Sequence, residues 1–132
     1  MDTLEKVGVT HIKQMSFDEN RESDNFRRPG PVGPCGPCCE IYYDRGDDYG
    51  PADWDMGVND RYTEIWNNVF MSYYDDGSCN LVELPAKNVD TGMGFERLMM
   101  VVQDVDTIYE TDVFAPCLRI LEKISPHPYP GF

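Results

Sequence analysis

The stretch from Arg61 to Tyr74 constrains this chain most. It is dominated by Thr, Ile, Trp, Val, Phe and Tyr, residues that suit a pleated, half-buried surface, and it predicts a long β-strand. Alternate side chains of a strand share a face, so Ile65, Asn67, Val69 and Met71 fall together. An Asn among apolar neighbours stands out, because a buried amide needs partners. A strand this long commits the chain to a sheet. Asp75-Asp76-Gly77-Ser78 follows as a turn, and Leu81 to Leu84 reads as a short strand returning from it. Upstream, Cys39-Glu40-Ile41-Tyr42-Tyr43-Asp44 also reads as a strand.

Val89 to Gly94 predicts one more strand and Phe95 to Gln103 a helix, whose Phe95, Leu98, Met99 and Val102 make an apolar stripe at helical spacing. A second helix is expected over Asp112 to Lys123. Residues 1 to 15 hold a possible short helix ended near Gly8, residues 16 to 124 the core, and Ser125 to Phe132, with three prolines, an irregular tail. Ser16 to Gly36 reads as an ordered loop, and residues 44 to 60 as an acidic surface loop with six Asp against one Arg. Short connections between the middle strands favour antiparallel pairing. The expected class is α+β: an antiparallel sheet with helices packed on one face. At 132 residues the chain makes one domain at most.

The formal net charge is −13, from 24 acidic and 11 basic residues. That argues against a broad nucleic-acid surface, which needs clustered Lys and Arg to neutralise phosphates. No apolar run is long enough for a membrane span, and Met1 to Thr10 has no apolar signal core. Five cysteines, an odd number without a secretion signal, point to a reduced cytoplasmic setting.

The chemistry concentrates in Val89-Asp90-Thr91-Gly92-Met93-Gly94-Phe95-Glu96-Arg97. On a strand, Asp90, Gly92 and Gly94 share a face: a carboxylate followed by two bare backbone positions. Glycine in a strand costs stability, so such a row marks close approach of a ligand or another backbone. Arg97, in the first helical turn, can reach over that cleared face. A flat ligand with a cation at one end and phosphates at the other fits. A bulged strand with a solvent-facing Arg is the bland alternative.

This segment resembles motif 3 of the class II aminoacyl-tRNA synthetases, and in its details the alanyl-tRNA synthetase version, with Phe95 where Leu is usual. The resemblance implies part of a class II catalytic core. It implies that Arg97 stacks by the adenine, meets the γ-phosphate of ATP and is catalytic, that Gly92 and Gly94 border ATP, and that Asp90 and Gly92 hold alanine. A guanidinium both stacks and pairs with phosphate. A carboxylate facing an ammonium in a part-dry pocket is favourable. Asp60-Arg61-Tyr62-Thr63-Glu64-Ile65-Trp66-Asn67-Asn68-Val69-Phe70-Met71 is similar to a second stretch of that family. There the matching Asn helps hold the amino acid and the matching Val lines the methyl pocket, roles that carry to Asn67 and Val69. A small apolar wall rejects glycine or serine poorly, and the family carries a separate editing domain. With His11 and His127 alone, this chain has no His-rich editing metal site.

A third segment, Asn25-Phe26-Arg27-Arg28 through Gly33-Pro34-Cys35-Gly36-Pro37-Cys38-Cys39-Glu40-Ile41, resembles the family's cysteine-bearing loop, where the cysteines are structural. Read by itself, Cys35-x-x-Cys38 also fits half a zinc site or a redox pair. Zinc needs two more ligands, however, and Cys79 and Cys117 are isolated. A redox pair normally opens a helix, whereas prolines bracket this one. No metal ligand set is therefore expected. Three positions of this segment depart from the family: Arg27 for the Trp that borders the alanine pocket, Val32 for Thr, and Cys39 for Ser or Thr.

The resemblance covers about Phe17 to Phe114. It implies the C-terminal half of the catalytic domain, with ATP and its Mg²⁺, L-alanine and tRNA(Ala) as ligands of the parent protein and no membrane. Motif 1 and the motif 2 Arg of the α-phosphate are not read before Asp24, so the N-terminal half is expected to be missing and the chain alone to be inactive in alanine-dependent ATP–pyrophosphate exchange. The alternative is a truncated, non-catalytic relic that binds nucleotide or amino acid.

Overall fold

The structure, a computed structural model, describes residues 11–15, 25–52, 59–78 and 80–127. Four strands form one sheet in sequential order: β1 (Phe26–Arg27), β2 (Gly33–Asp44), β3 (Tyr62–Asp75) and β4 (Leu81–Met93). Pairing is antiparallel, with Phe26 opposite Pro37 and Arg27 opposite Gly36 in the β1–β2 ladder. Two helices follow, α1 (Phe95–Gln103) and α2 (Ala115–Ile124). The class is α+β, as expected.

The described residues divide into two compact units. One comprises 11–15, 25–40, 68–78 and 80–91; the other comprises 41–52, 59–67 and 92–127. In the first, Cys38, Val69 and Met71 form a buried apolar cluster, with Leu84 packed against it. Gly36 lets the sheet close. A Cβ there would lie 2.0 Å from the Phe70 carbonyl oxygen and 3.0 Å from the Ser72 nitrogen. Beside the cluster, Arg28 pairs with the buried Asp75 at 3.1 Å and lies over the Phe26 ring, which stacks on Tyr73.

The second unit is organised by arginine. Arg61, 9% exposed, donates through Nε and Nη2 to both Asp44 carboxylate oxygens at 2.6 and 2.9 Å, through Nη1 to Asp47, and to the Gly50 carbonyl at 3.3 Å. These bonds, Asp44's first, hold the guanidinium further into its charged form than usual. They wrap the chain after β2 around one cation, with a 3₁₀ turn over Asp47–Tyr49. Arg45 lies 3.5 Å over the Tyr49 ring and donates to the Asp106 carbonyl at 2.9 Å, and the Tyr49 hydroxyl donates to the Asp106 carboxylate. Helix α1 ends at Asp104, in the left-handed region at φ 53°. Gln103 and Asp112 exchange two hydrogen bonds that carry the chain toward α2. A 3₁₀ turn at Ile108–Glu110, closed by a Thr107–Glu110 capping box, packs against both helices.

Four expectations need correction. Strand β2 starts at Gly33, inside the segment read as a loop; its exposed Pro34 and Pro37 stand at ladder positions that tolerate a missing N–H. The two short strands at Leu81–Leu84 and Val89–Gly94 are one, because Pro85-Ala86-Lys87-Asn88 continues as edge strand. Proline and lysine suit an edge, where no neighbour needs the N–H and charge deters further pairing. The stripe on α1 is rotated: Met100 is its buried residue, at 6%, whereas Phe95 and Val102 are 56% and 68% exposed. Helix α2 begins three residues late, at Ala115, with Pro116 in its first turn, where the missing N–H costs nothing. The possible helix over 1–15 lies mostly outside the described residues, and its described end, His11–Met15, is irregular. Of the tail, 128–132 lie outside as well.

Candidate functional site

Strand β4 ends at Met93, and Gly94 caps α1 with an extended backbone. Its N–H donates to the Ile65 carbonyl at 3.0 Å, and its own carbonyl accepts from the Leu98 N–H at 2.8 Å. This fixes the step from strand to helix against β3. Because Gly94 has no side chain, the stem of Arg97 can fold back across it: a Cβ on Gly94 would touch Arg97 Cδ at 3.4 Å. Arg97 Nη1 then meets the Glu64 carboxylate at 2.9 Å and the Glu64 carbonyl at 3.1 Å. Its side chain is 51% exposed. Among the described residues Nε and Nη2 engage no partner, so one full edge of the fork remains for a ligand.

Gly92, in the same unit, faces open space, since a Cβ built there meets nothing within 4 Å. That matches a cleared backbone position at which a ligand can approach closely. Asn67, also in this unit, is half-buried, and its Oδ1 is buried. A buried amide oxygen in an otherwise apolar strand face is a specific polar feature rather than packing.

The first unit holds the other two expected residues. Val69 is buried at 7% with Cys38 and Met71, so it is part of the apolar core as well as a candidate pocket wall. Asp90 is exposed on β4, where every residue from Pro85 to Met93 is exposed. Next to it, the Thr91 hydroxyl donates to Asn68 Oδ1 at 2.8 Å. Arg27 is exposed on β1.

Cys35 and Cys38 are both buried on β2. Cys35 has Asp75 and Arg28 as its charged neighbours, and Cys38 packs into the apolar cluster with Val69 and Met71. Burial, and then the Asp75 charge, raises the Cys35 thiol above its ordinary value, which keeps it protonated and unreactive. Among the described residues no group of three or more His, Cys, Asp or Glu could hold a metal.

Sequence reasoning missed three side chains. Glu64 was read only as part of a similar stretch, yet it holds Arg97. Arg45 and Arg61 anchor the acidic loop. The signal for both was present: two cations bracketing a run of aspartates must be claimed by them.

Residues 2–131 match the family model described as tRNA synthetases class II (A). The chain is 50% identical over 111 residues to an alanine–tRNA ligase of Desulfosudis oleivorans, covering 82% of this chain and 13% of that protein. It is 45% identical over 130 residues to the alanine–tRNA ligase of Deinococcus radiodurans, covering 92% and 15%. For the alanine–tRNA ligase of Mycoplasma genitalium the identity is 46% over 130 residues, covering 94% and 14%. The chain therefore spans about a seventh of the length of these relatives.

Proposed function

We propose, from the fact that this chain belongs to the tRNA synthetases of class II (A), that it forms part of an ATP-dependent alanine–tRNA ligase. We place it as the C-terminal half of the catalytic domain, with motif 3 running from Val89 to Arg97 and motifs 1 and 2 on the remainder of that domain. The observation that carries the reading is the junction at Gly94. It delivers an arginine with an uncommitted edge beside an open glycine strand.

In this reading Arg97 binds the triphosphate and lies by the adenine, and Gly92 and Gly94 leave room for the nucleotide. Asp90 takes the ammonium of L-alanine, Asn67 helps hold the amino acid, and Val69 walls the methyl pocket. The alanine carboxylate attacks the α-phosphate and pyrophosphate leaves, giving alanyl-adenylate. A hydroxyl of the terminal adenosine of tRNA(Ala) then displaces AMP. Positioning and charge neutralisation drive the first step. Mg²⁺ enters with ATP and offsets phosphate charge. The acidic balance of this chain, −13, supports tRNA contacts made by other parts of the parent. We place the protein in the cytoplasm; among the described residues no helix is long and apolar enough to cross a membrane.

Asp90→Asn tests the site. Removing the partner of the ammonium should weaken alanine binding by roughly 10- to 100-fold, the worth of one hydrogen bond to a charged group, with ATP affinity little changed. Calorimetric titration of both ligands against the native-length protein measures this. Equal losses for the two would make Asp90 a structural residue.

A further inference from the structure

We propose that Glu64 is a positioning residue: it sets the guanidinium of Arg97 so that its Nε–Nη2 edge faces the phosphates. This rests on the reading of Arg97 as the arginine that meets the γ-phosphate.

Arg97 lies on a short helix and has a long, flexible side chain. Left to itself it would lose rotamer freedom on meeting a ligand, at a cost set against affinity. Two acceptors of one residue remove part of that freedom beforehand. The Glu64 carbonyl is fixed by β3, and the Glu64 carboxylate stands beside it; both engage the same nitrogen, Nη1, at 3.1 and 2.9 Å. One acceptor fixes a distance, while two on one nitrogen also fix the plane of the fork. The bare Gly94 lets the stem take this path, and its N–H bond to the next residue of β3, Ile65, holds the helix start in register with Glu64.

The choice of nitrogen matters. Phosphate is bound best through two parallel N–H groups of one guanidinium edge. Had Glu64 taken Nε and Nη2, it would occupy the edge that a phosphate needs. Instead that edge is left without a partner among the described residues. The pair is also only partly dry, with side-chain exposures of 51% for Arg97 and 32% for Glu64. Exposed pairs contribute little to stability, so orienting the fork is a better account of this contact than holding the fold.

The test is binding of ATP, AMP and alanine to the native-length protein, for wild type and three variants. Glu64→Ala should weaken ATP by about tenfold, leave alanine within about twofold, and cost AMP clearly less than ATP, since AMP keeps the adenine that Arg97 lies by but has no γ-phosphate. Glu64→Asp keeps the charge but falls one methylene short, and should show the same selective loss at about threefold; it decides the matter if the alanine variant does not fold. Glu64→Gln, whose amide oxygen can still accept from Nη1, should recover most of the ATP affinity. Unchanged ATP affinity in the alanine and aspartate variants overturns the inference. So does tighter ATP binding, which would make Glu64 a competitor for Arg97, and so does parallel loss of all three ligands, which would make it structural. A wild type that binds no ATP sinks the functional reading, and the inference with it; a wild type that binds while the variants match it sinks the inference alone.

Discussion

The two units solve the same problem with opposite chemistry. In the first, strands press together until no side chain fits between them at Gly36, and the thiol and apolar side chains of Cys38, Val69 and Met71 fill what remains. In the second, the chain is too acidic for that. Its loop carries Asp44, Asp47 and Asp48, and cohesion comes from two arginines, Arg61 gathering Asp44, Asp47 and the Gly50 carbonyl, and Arg45 gripping Tyr49 and Asp106. The lesson is that close packing tolerates no added volume, whereas an ion-paired loop tolerates volume but not loss of its cation.

Three substitutions probe that difference. The largest effect should come from Gly36→Ala. Its Cβ would meet fixed backbone atoms at 2.0 to 3.0 Å, and overpacking against backbone that cannot yield should cost about 3 kcal/mol or more. Chemical denaturation measures this, with Gly92→Ala, whose Cβ meets nothing, as the stability control. Equal midpoints for the two would mean that the strands can part without penalty.

Arg61→Leu should act next and locally. The turn after β2 is closed by Tyr49 N–H to the Gly46 carbonyl and Gly50 N–H to the Asp47 carbonyl. Without the cation these amides should exchange with solvent about tenfold faster, while the Cys38 amide, bonded to the Asn25 carbonyl, keeps its rate. Slow exchange at Tyr49 and Gly50 in the variant would show that the loop holds itself.

The smallest effect belongs to Tyr49→Phe. The hydrogen bond to the Asp106 carboxylate raises the Tyr49 hydroxyl above its usual value, because ionisation would set a phenolate against a carboxylate. A folded value above the unfolded one stabilises below the ordinary tyrosine value of about 10, and that contribution is lost as pH rises through the folded value. Thermal melts of wild type should therefore fall on the alkaline side more steeply than those of the variant. Superimposable alkaline limbs would mean that Tyr49 contributes nothing through this bond.

Much of this was legible in advance. The sheet was announced by Arg61 to Tyr74, and the structure returns β3 within one residue at each end. For the site, residue type and spacing single out Asn67, Asp90, Gly92, Gly94 and Arg97, and similarity adds Val69; their roles are what is proposed. The misses share a cause. Pro85 reads as a break unless the strand is known to lie at an edge. Gly33 to Gly36 reads as loop unless β3 is known to need a partner that is bare at Gly36. Phe95 and Val102 read as core unless it is known which face of α1 meets a neighbour.

The sequence by itself determined what is set by local chemistry: alternation that makes β3 a strand, the turn at Asp75 to Ser78, the Gly-Met-Gly-Phe-Glu-Arg step from strand to helix, and family membership. Only the tertiary structure decided which partner each charge finds. Arg61 chose Asp44 and Asp47, and Arg97 chose Glu64, thirty-three residues away. An ion pair depends on distance in space, which falls off steeply and pays no regard to distance along the chain. No reading of the chain in one dimension fixes that choice.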